Sequence, residues 1–469
     1  MSTICAPATA PGGAIAVVRV SGPEALSITS RIFSKDLTQA KGYTLHYGYI
    51  HSFVDNGLKH TPCPSAPDAI IDDVLVSVFR APHSYTGEDS TEISCHGSRY
   101  IVQKIIESLI CAGARMATPG EFTKRAFLAG KMDLSQAEAV ADLITSSNEA
   151  THRMALSQMR GGFSKELEAL RDQLLHLTSL LELELDFSDH EDIEFADRQQ
   201  LRELTDGLYR HIQLLTESFR TGNAMKNGIP VAIIGAPNVG KSTLMNALVH
   251  EERAIVSDIQ GTTRDLIEDT IQIDGITFRF IDTAGIRKTT DRIEQMGIER
   301  SLQAAKKADI IILLTEPNKN FPDIRIPHSP ETPDLPIVLR VINKSDLIMP
   351  DSSFLYHRQQ PKQDIHISSM TGAGMPMLQK ALIEAANRIL SYSNDGDHTI
   401  VTNLRHYEAL HHSLEAVSRV KHAIADGIPG DLIAEDLRLC LHHLAEITGG
   451  EITSDEVLAN IFKNFCIGK

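Results

Sequence analysis

The chain has 469 residues, 42% hydrophobic and 23% charged, an ordinary balance for about three globular domains of roughly 150 residues each. Its net charge of −16 excludes strong non-specific binding to nucleic acid, which needs a cationic surface, and leaves room only for a local basic patch. No apolar run reaches a membrane-span length and no signal-peptide pattern opens the chain, so a cytoplasmic protein is expected; the cysteines at 5, 63, 95, 111, 440 and 466 form no Cys-x-x-Cys pair, which excludes the common zinc and redox motifs and reads as reduced thiols.

Residues 1–130 mix short apolar runs, at 14–20 and 74–79, with Gly and Pro punctuation, which predicts a small α/β domain. From His96 to Lys131 the chain carries Arg99, Lys104, Arg115, Lys124, Arg125 and Lys131 against Glu107 and Glu121, a candidate basic patch. A helical style then begins. Leu167, Leu170, Leu174, Leu177 and Leu181 step by three and four and form one helix stripe. Leu201, Leu204, Leu208, Ile212, Leu215 and Phe219 form a second. Residues 182–197 between them carry eight acids and no Lys or Arg, and should avoid any RNA.

Residues 228–388 alternate apolar strands, at 230–234, 278–281, 310–314 and 337–342, with helical stretches, which predicts a doubly wound parallel sheet. The helical style returns with Leu410, Leu414 and Val417 and then with Ile433, Leu437, Leu441 and Leu444. Helices on both sides of a strand-rich segment form one bundle when an α/β domain is inserted at a loop. The expected fold class is therefore α/β plus all-α: an N-terminal α/β domain at 1–130, a helical bundle domain at 131–225 and 389–469, and an inserted Ras-like P-loop GTPase domain at 226–388. Cys440, His442 and His443 sit on an apolar-periodic helix and read as a packed or solvated face rather than a metal site.

The strand at 230–234 runs into Gly235-Ala-Pro-Asn-Val-Gly-Lys-Ser242 and then a helix, the context a phosphate loop requires. Backbone N–H groups from Asn238, Val239, Gly240, Lys241, Ser242 and Thr243 would wrap phosphates, aided by the helix N-terminus. Lys241 would reach the β- and γ-phosphates and Ser242 would take Mg²⁺. Asp282-Thr-Ala-Gly285 (Asp282, Thr283, Ala284, Gly285) closes another strand, where the Asp holds Mg²⁺ through water and the Gly offers its N–H to the γ-phosphate. Asn343-Lys-Ser-Asp346 (Asn343, Lys344, Asp346) ends a third. Its carboxylate accepts from guanine N1–H and the exocyclic amine, which selects GTP over ATP. Ser368, Ser369 and Met370 end the next strand as a last base-contacting loop. The segment Ser257, Asp258, Ile259, Gln260, Gly261, Thr262, Thr263 and Arg264 lies between the phosphate loop and Asp282, and Thr263 is the switch threonine expected on Mg²⁺. Ile286 stands where Ras-like GTPases carry a water-orienting Gln, so another charge must stabilise the developing negative charge; Arg264 and Arg287 are candidates.

These motifs, with the Ile, resemble the MnmE (TrmE/ThdF) branch of tRNA-modification GTPases. The resemblance extends over essentially the whole chain through Pro119-Gly-Glu-Phe-Thr-Lys-Arg-Ala-Phe127, Asp133-Leu-Ser-Gln-Ala-Glu-Ala139 and the terminal Phe465-Cys-Ile-Gly-Lys469. It implies a K⁺ ion at the arginine-finger position, held by Asn238, Ser257, Ile259 and Thr262, and a water-positioning Glu294. It implies an N-terminal domain that dimerises and binds a 5-formyl- or methylene-tetrahydrofolate one-carbon donor through Arg19, Glu92, Lys131 and Lys469, with Cys466 as a functional thiol. Pro11-Gly-Gly-Ala14 is one residue shorter than the family's usual loop. The implied activity is GTP hydrolysis coupled to addition of a carboxymethylaminomethyl or aminomethyl group at carbon 5 of the wobble uridine in tRNA. The implied partner is an MnmG (GidA)-like flavoprotein in a heterotetramer; FAD and NADH belong to that partner, since this chain has no dinucleotide fingerprint. The other reading of the same G motifs is a regulatory switch in ribosome assembly.

Overall fold

The computed structural model describes residues 2–52, 70–146, 148–186, 198–251, 269–281, 303–322, 336–347, 364–390, 399–428 and 430–450, with Phe462, Phe465 and Gly468. In chain order the first elements are β1 (Ile4–Pro7), β2 (Ile15–Ser21), α1 (Ala25–Ile32), β3 (Thr44–His51), β4 (Ile70–Phe79), β5 (Ser90–His96), α2 (Arg99–Cys111), β6 (Arg115–Met116) and α3 (Glu121–Leu128). Four helices follow: α4 (Leu134–Thr145), α5 (Glu149–Met159), α6 (Gly162–Asp186) and α7 (Arg198–Asn227). Next come β7 (Ile229–Gly235), α8 (Lys241–Glu251), β8 (Asp269–Ile273), β9 (Ile276–Phe280), β10 (Ile310–Thr315), β11 (Ile337–Ile342), β12 (Asp364–His366) and α9 (Met375–Leu390). The last are α10 (Leu404–Ala425) and α11 (Gly430–Thr448). Two units form: one from Met1–Thr145, Ala155–Ser188 and Gly430–Lys469, the other from Ser146–Met154 and Asp189–Pro429.

In the first unit six strands run in the order β3-β4-β5-β2-β1-β6. Neighbours are antiparallel except β1 and β6. Strand β4 shows why one face is covered. Val74, Val76 and Val78 are buried while Asp73 and Leu75, on the alternate positions, are exposed, the two-residue period of a strand with one dry face. The dry face packs with Ile28 and Ile32 of α1 and Ile105 and Leu109 of α2. The leucine stripe of α6 is buried at all five positions, and α6 packs on α11, which buries Ile433, Leu437, Cys440 and Leu444. Each such side chain contributes about 1.5–3 kcal/mol by leaving water. Cys440 is thus a core thiol, and its neighbours His442 and His443 lie 3.7 and 3.3 Å from the Glu446 carboxylate as helix-surface pairs.

A buried guanidinium holds the start of α3. Arg125, 5% exposed, donates to Glu121 Oε1 (3.0 Å), to Glu88 (3.0 Å) and to the Ser2 carbonyl (2.8 Å). Arg115 and the Thr118 N–H also donate to Glu121. Burial by itself raises the Glu121 carboxyl, but the bonds from Arg115, Thr118 and Arg125 outweigh it and hold it at about 2. Of the six cations at 96–131 the fold pairs three with carboxylates: Arg125 faces inward, Arg115 meets Glu121 and Lys104 meets Glu107, while Arg99 and Lys131 are exposed. For those three the charge is met by the fold, because the acids lie nearby or, as with Glu88, come from another loop.

In the second unit the order is β12-β11-β10-β7-β9-β8. All neighbours are parallel except β8 and β9. Strand β7 is buried from Ile229 to Ile234, as a strand covered on both faces must be. Ile229, Val231 and Ile233 join Leu244 and Leu248 of α8 and Leu378 and Leu382 of α9 in one core, and Ala232 and Ile234 join Ala304, Ala305 and Ala308 in another. This is the doubly wound sheet expected. The β8–β9 hairpin was not anticipated, although Asp274-Gly275 between Ile273 and Ile276 is a two-residue turn signal with both φ values positive. Helix α7 packs on α10, with Phe219 stacked on Tyr407 at 4.5 Å. Arg220 ties α7 to Asp309 beside β10 at 2.9 Å.

Arg125→Ala leaves Glu121 and Glu88 without their buried cation and should lower the stability of the first unit by about 3 kcal/mol, read as an earlier thermal or urea transition. The same network should be acid-labile. Since the folded Glu121 carboxyl titrates at about 2 against an ordinary 4.5, its contribution is complete above pH 4.5 and fades as pH falls toward 2.

Candidate functional site

The carboxyl ends of β7, β10, β11 and β12 lie side by side, the edge at which open α/β sheets place ligands. From β7 the chain enters the loop Gly235 to Gly240, and α8 begins at Lys241. Asn238 and Gly240 adopt left-handed backbone, φ 64 and 94. The loop is therefore curled, with its N–H groups and the start of α8 at one place. Lys241 Nζ donates to the carbonyls of Gly235 (2.6 Å) and Ala236 (3.2 Å). Burial holds its ammonium below the ordinary lysine range, which raises the gain from an anion beside it. Ser242 is half-buried and Thr243 exposed in the first turn of α8, and Asn238 is exposed on the loop.

Asn343, at the end of β11, is buried and is used as a strut. Its Nδ2 donates to the Val239 carbonyl at 2.9 Å, and its Oδ1 accepts from the N–H (3.0 Å) and Oγ (2.9 Å) of Ser369. One amide thus joins the phosphate loop, β11 and the loop after β12. Ser368 Oγ donates to Asp346 Oδ1 at 2.6 Å, orienting an exposed carboxylate at the mouth of the site. Met370 is fully outside this net, at 86% exposure. Lys344 Nζ donates to the Asn238 carbonyl at 2.7 Å and pairs with Glu316. Glu316 also accepts Lys319 at 2.7 Å, and these two cations hold its carboxyl at about 2.

Of the residues expected at the nucleotide site, the structure brings together Asn238, Val239, Gly240, Lys241, Ser242, Thr243, Asn343, Lys344, Asp346, Ser368 and Ser369. Ser257, Asp258, Ile259, Gln260, Gly261, Thr262, Thr263, Arg264, Asp282, Thr283, Ala284, Gly285 and Glu294 lie outside the described residues. Glu316 was missed. Its signal was present: like Gly235, Asn343 and Ser368, it stands just past the carboxyl end of an apolar strand.

A second candidate site lies in the first unit. Arg19 of β2 and Glu92 of β5 are direct cross-strand partners and form an ion pair at 2.8 Å. Arg19 also donates to the Gly468 carbonyl at 3.2 Å and lies over the rings of Tyr85 (5.4 Å) and Phe122 (5.6 Å). Phe462 and Phe465 pack with Leu134 and Ala137. Gly120, at φ 66, allows this, since a Cβ there would lie 2.8 Å from the Phe462 carbonyl and 2.9 Å from Phe465 Cβ. The end of the chain is thereby delivered to Arg19. Lys131 donates to the Pro82 carbonyl at 2.7 Å, on the loop that carries Tyr85. Cys466 and Lys469 lie outside the described residues.

A curled phosphate loop with its Lys and Ser at a helix start, and an Asn-Lys-x-Asp run two strands along the sheet edge, make the chain a P-loop GTPase, a GTP hydrolase. The description "GTP-binding protein TrmE N-terminus" matches residues 3–131, and "MnmE helical domain" matches residues 134–466. The tRNA modification GTPase MnmE of Phocaeicola vulgatus is 52% identical over 497 aligned residues, covering 100% of this chain and 99% of that protein. Those of Parabacteroides distasonis and Flavobacterium johnsoniae are 54% and 48% identical, covering 100% of this chain and 100% and 99% of theirs. The chain belongs to the MnmE family of tRNA modification GTPases.

Gly240→Ala tests the loop. A Cβ there overlaps Asn343 Nδ2 and requires left-handed backbone. Guanine-nucleotide affinity should fall at least about tenfold, with the thermal transition of the first unit unmoved; binding at wild-type strength would show that the Asn343 strut is dispensable.

Proposed function

We propose that this chain is a potassium-activated GTPase whose cycle drives addition of a carboxymethylaminomethyl or aminomethyl group to carbon 5 of the wobble uridine in tRNA. It works as a homodimer with an MnmG-like flavoprotein that carries FAD and NADH, and it uses a folate one-carbon unit. GTP hydrolysis follows from the site itself, and the tRNA substrate from the family. The observation that supports the folate reading best is the Arg19–Glu92 pair, set beside the Tyr85 ring and the Gly468 carbonyl. A guanidinium suits folate carboxylates, a carboxylate suits the pterin's N–H donors, and a ring offers a stacking face. The family resemblance assigns Cys466 and Lys469 to the same site.

The donor set fits the cations that the family implies. Ser242 in the first turn of α8, with Thr263, would hold Mg²⁺. Asn238, exposed at the loop's rim, would hold K⁺ together with Ser257, Ile259 and Thr262, through amide, hydroxyl and carbonyl oxygens suited to a hard cation. Such a cation supplies positive charge beside the phosphates, the task that Ile286 cannot share. This chain's own groups do the rest. Lys241 and the loop N–H groups neutralise the phosphates, Asp346 selects guanine, and Glu294 would orient water.

Turnover of GTP with Mg²⁺ should be much faster in K⁺ than in Na⁺ at equal ionic strength, and Asn238→Ala should abolish the difference. Equal rates in both salts would assign the missing charge to Arg264, Arg287 or a partner. For the substrate, mass spectrometry of wobble uridines from a strain lacking the gene should show the unmodified base. Intact modification there would favour the ribosome-assembly reading instead.

A further inference from the structure

We propose that Glu316 is a positioning residue for guanine-nucleotide binding, acting by holding Lys344 across the gap between the base-reading run and the phosphate loop. The proposal rests on the site's taking GTP.

Lys344 has left-handed backbone, φ 61, and its Nζ is held from two sides. One partner is the Asn238 carbonyl, at 2.7 Å. That carbonyl belongs to a residue at φ 64, on the loop that receives phosphate. The other partner is the Glu316 carboxylate, at the end of β10. The sheet order places β10 between β7 and β11, so Glu316 sits on the strand that separates the two halves of the site. Asp346, which reads the base, is two residues from Lys344. A nucleotide with its base at Asp346 and its phosphates at the loop must run past the Lys344 stem.

The physical need is clear. A lysine side chain has four rotatable carbons and loses about 2 kcal/mol of rotamer freedom when fixed. A single neutral carbonyl is a weak anchor for it. A carboxylate makes the contact charge-assisted, roughly twice as strong. Glu316 is itself steadied by Lys319 at 2.7 Å, so its carboxylate remains ionised and aimed. The ordering cost of Lys344 is then met before nucleotide arrives, the gain described as preorganisation.

The full-length chain with Mg²⁺ and a fluorescent GDP analogue supplies the test. Glu316→Ala should weaken binding roughly three- to thirtyfold, the span for a charge-assisted contact partly screened by solvent. Its KM for GTP should rise in step while kcat stays within about twofold. Glu316→Asp should recover most of the loss. In the double variant Glu316→Ala/Lys344→Ala, the two losses should not add, because both remove one device. Should Glu316→Ala fold poorly, the isosteric Glu316→Gln takes its place in the cycle. Wild-type affinity in the Glu316 variants, or full additivity with Lys344→Ala, overturns the proposal. Failure of the wild-type chain to bind GDP would overturn the GTP-site reading instead.

Discussion

The second unit depends on one buried amide. Asn343 donates to the Val239 carbonyl and accepts from both the N–H and the hydroxyl of Ser369, so its two ends hold loops that follow different strands. An amide can do this because it carries a donor and an acceptor on one planar group; an Asp would have no donor for Val239 and a Leu neither. Its closeness to the phosphate loop leaves no room for a Cβ at Gly240. The Gly of one motif and the Asn of another, 103 positions apart by subtraction of their numbers, are therefore a single packing solution. Parallel strands make this economical, since each delivers its carboxyl end to the same edge.

In the first unit the corresponding constraint is Arg125. Its guanidinium satisfies Glu121, Glu88 and the Ser2 carbonyl, and Ser21 supports Glu88 at 2.8 Å. A buried charge left unpaired is costly, so the four segments that meet there are held in register. The loop ending at Glu88 carries Tyr85 and Pro82, the partners of Arg19 and Lys131. The stretch from Pro119 to Phe127 thus acts through architecture. Its Gly admits the terminal phenylalanines, its Glu and Arg fix the loop, and the outcome is the Gly468 carbonyl beside Arg19.

How far sequence reasoning reached differs by element. The α6 leucines were legible because helical spacing and burial agree at every position. The strand ends of the G segment were legible because phosphate and guanine chemistry demand particular residues there. The basic stretch from Arg99 to Lys131 was overcounted, because charge counted along the chain ignores that Arg125 is drawn inward by carboxylates from α3 and from the loop before β5. The place of Glu316 past an apolar strand end was legible, but its partner was not, since Lys344 is 28 residues away and only the adjacency of β10 and β11 brings them together.

By itself the sequence determined the family, the fold class and the GTPase activity, because loops that wrap phosphate or read guanine tolerate few residue types at each position. It also determined which helix faces are dry. Only the tertiary structure decided which of the charged residues remain available: Arg125 is consumed in the core, Arg19 and Glu92 are paired across two strands beneath the chain's end, and Lys344 is held by a carboxylate from the neighbouring strand. Such assignments depend on which segments become neighbours in space, and local spacing along the chain carries no record of that.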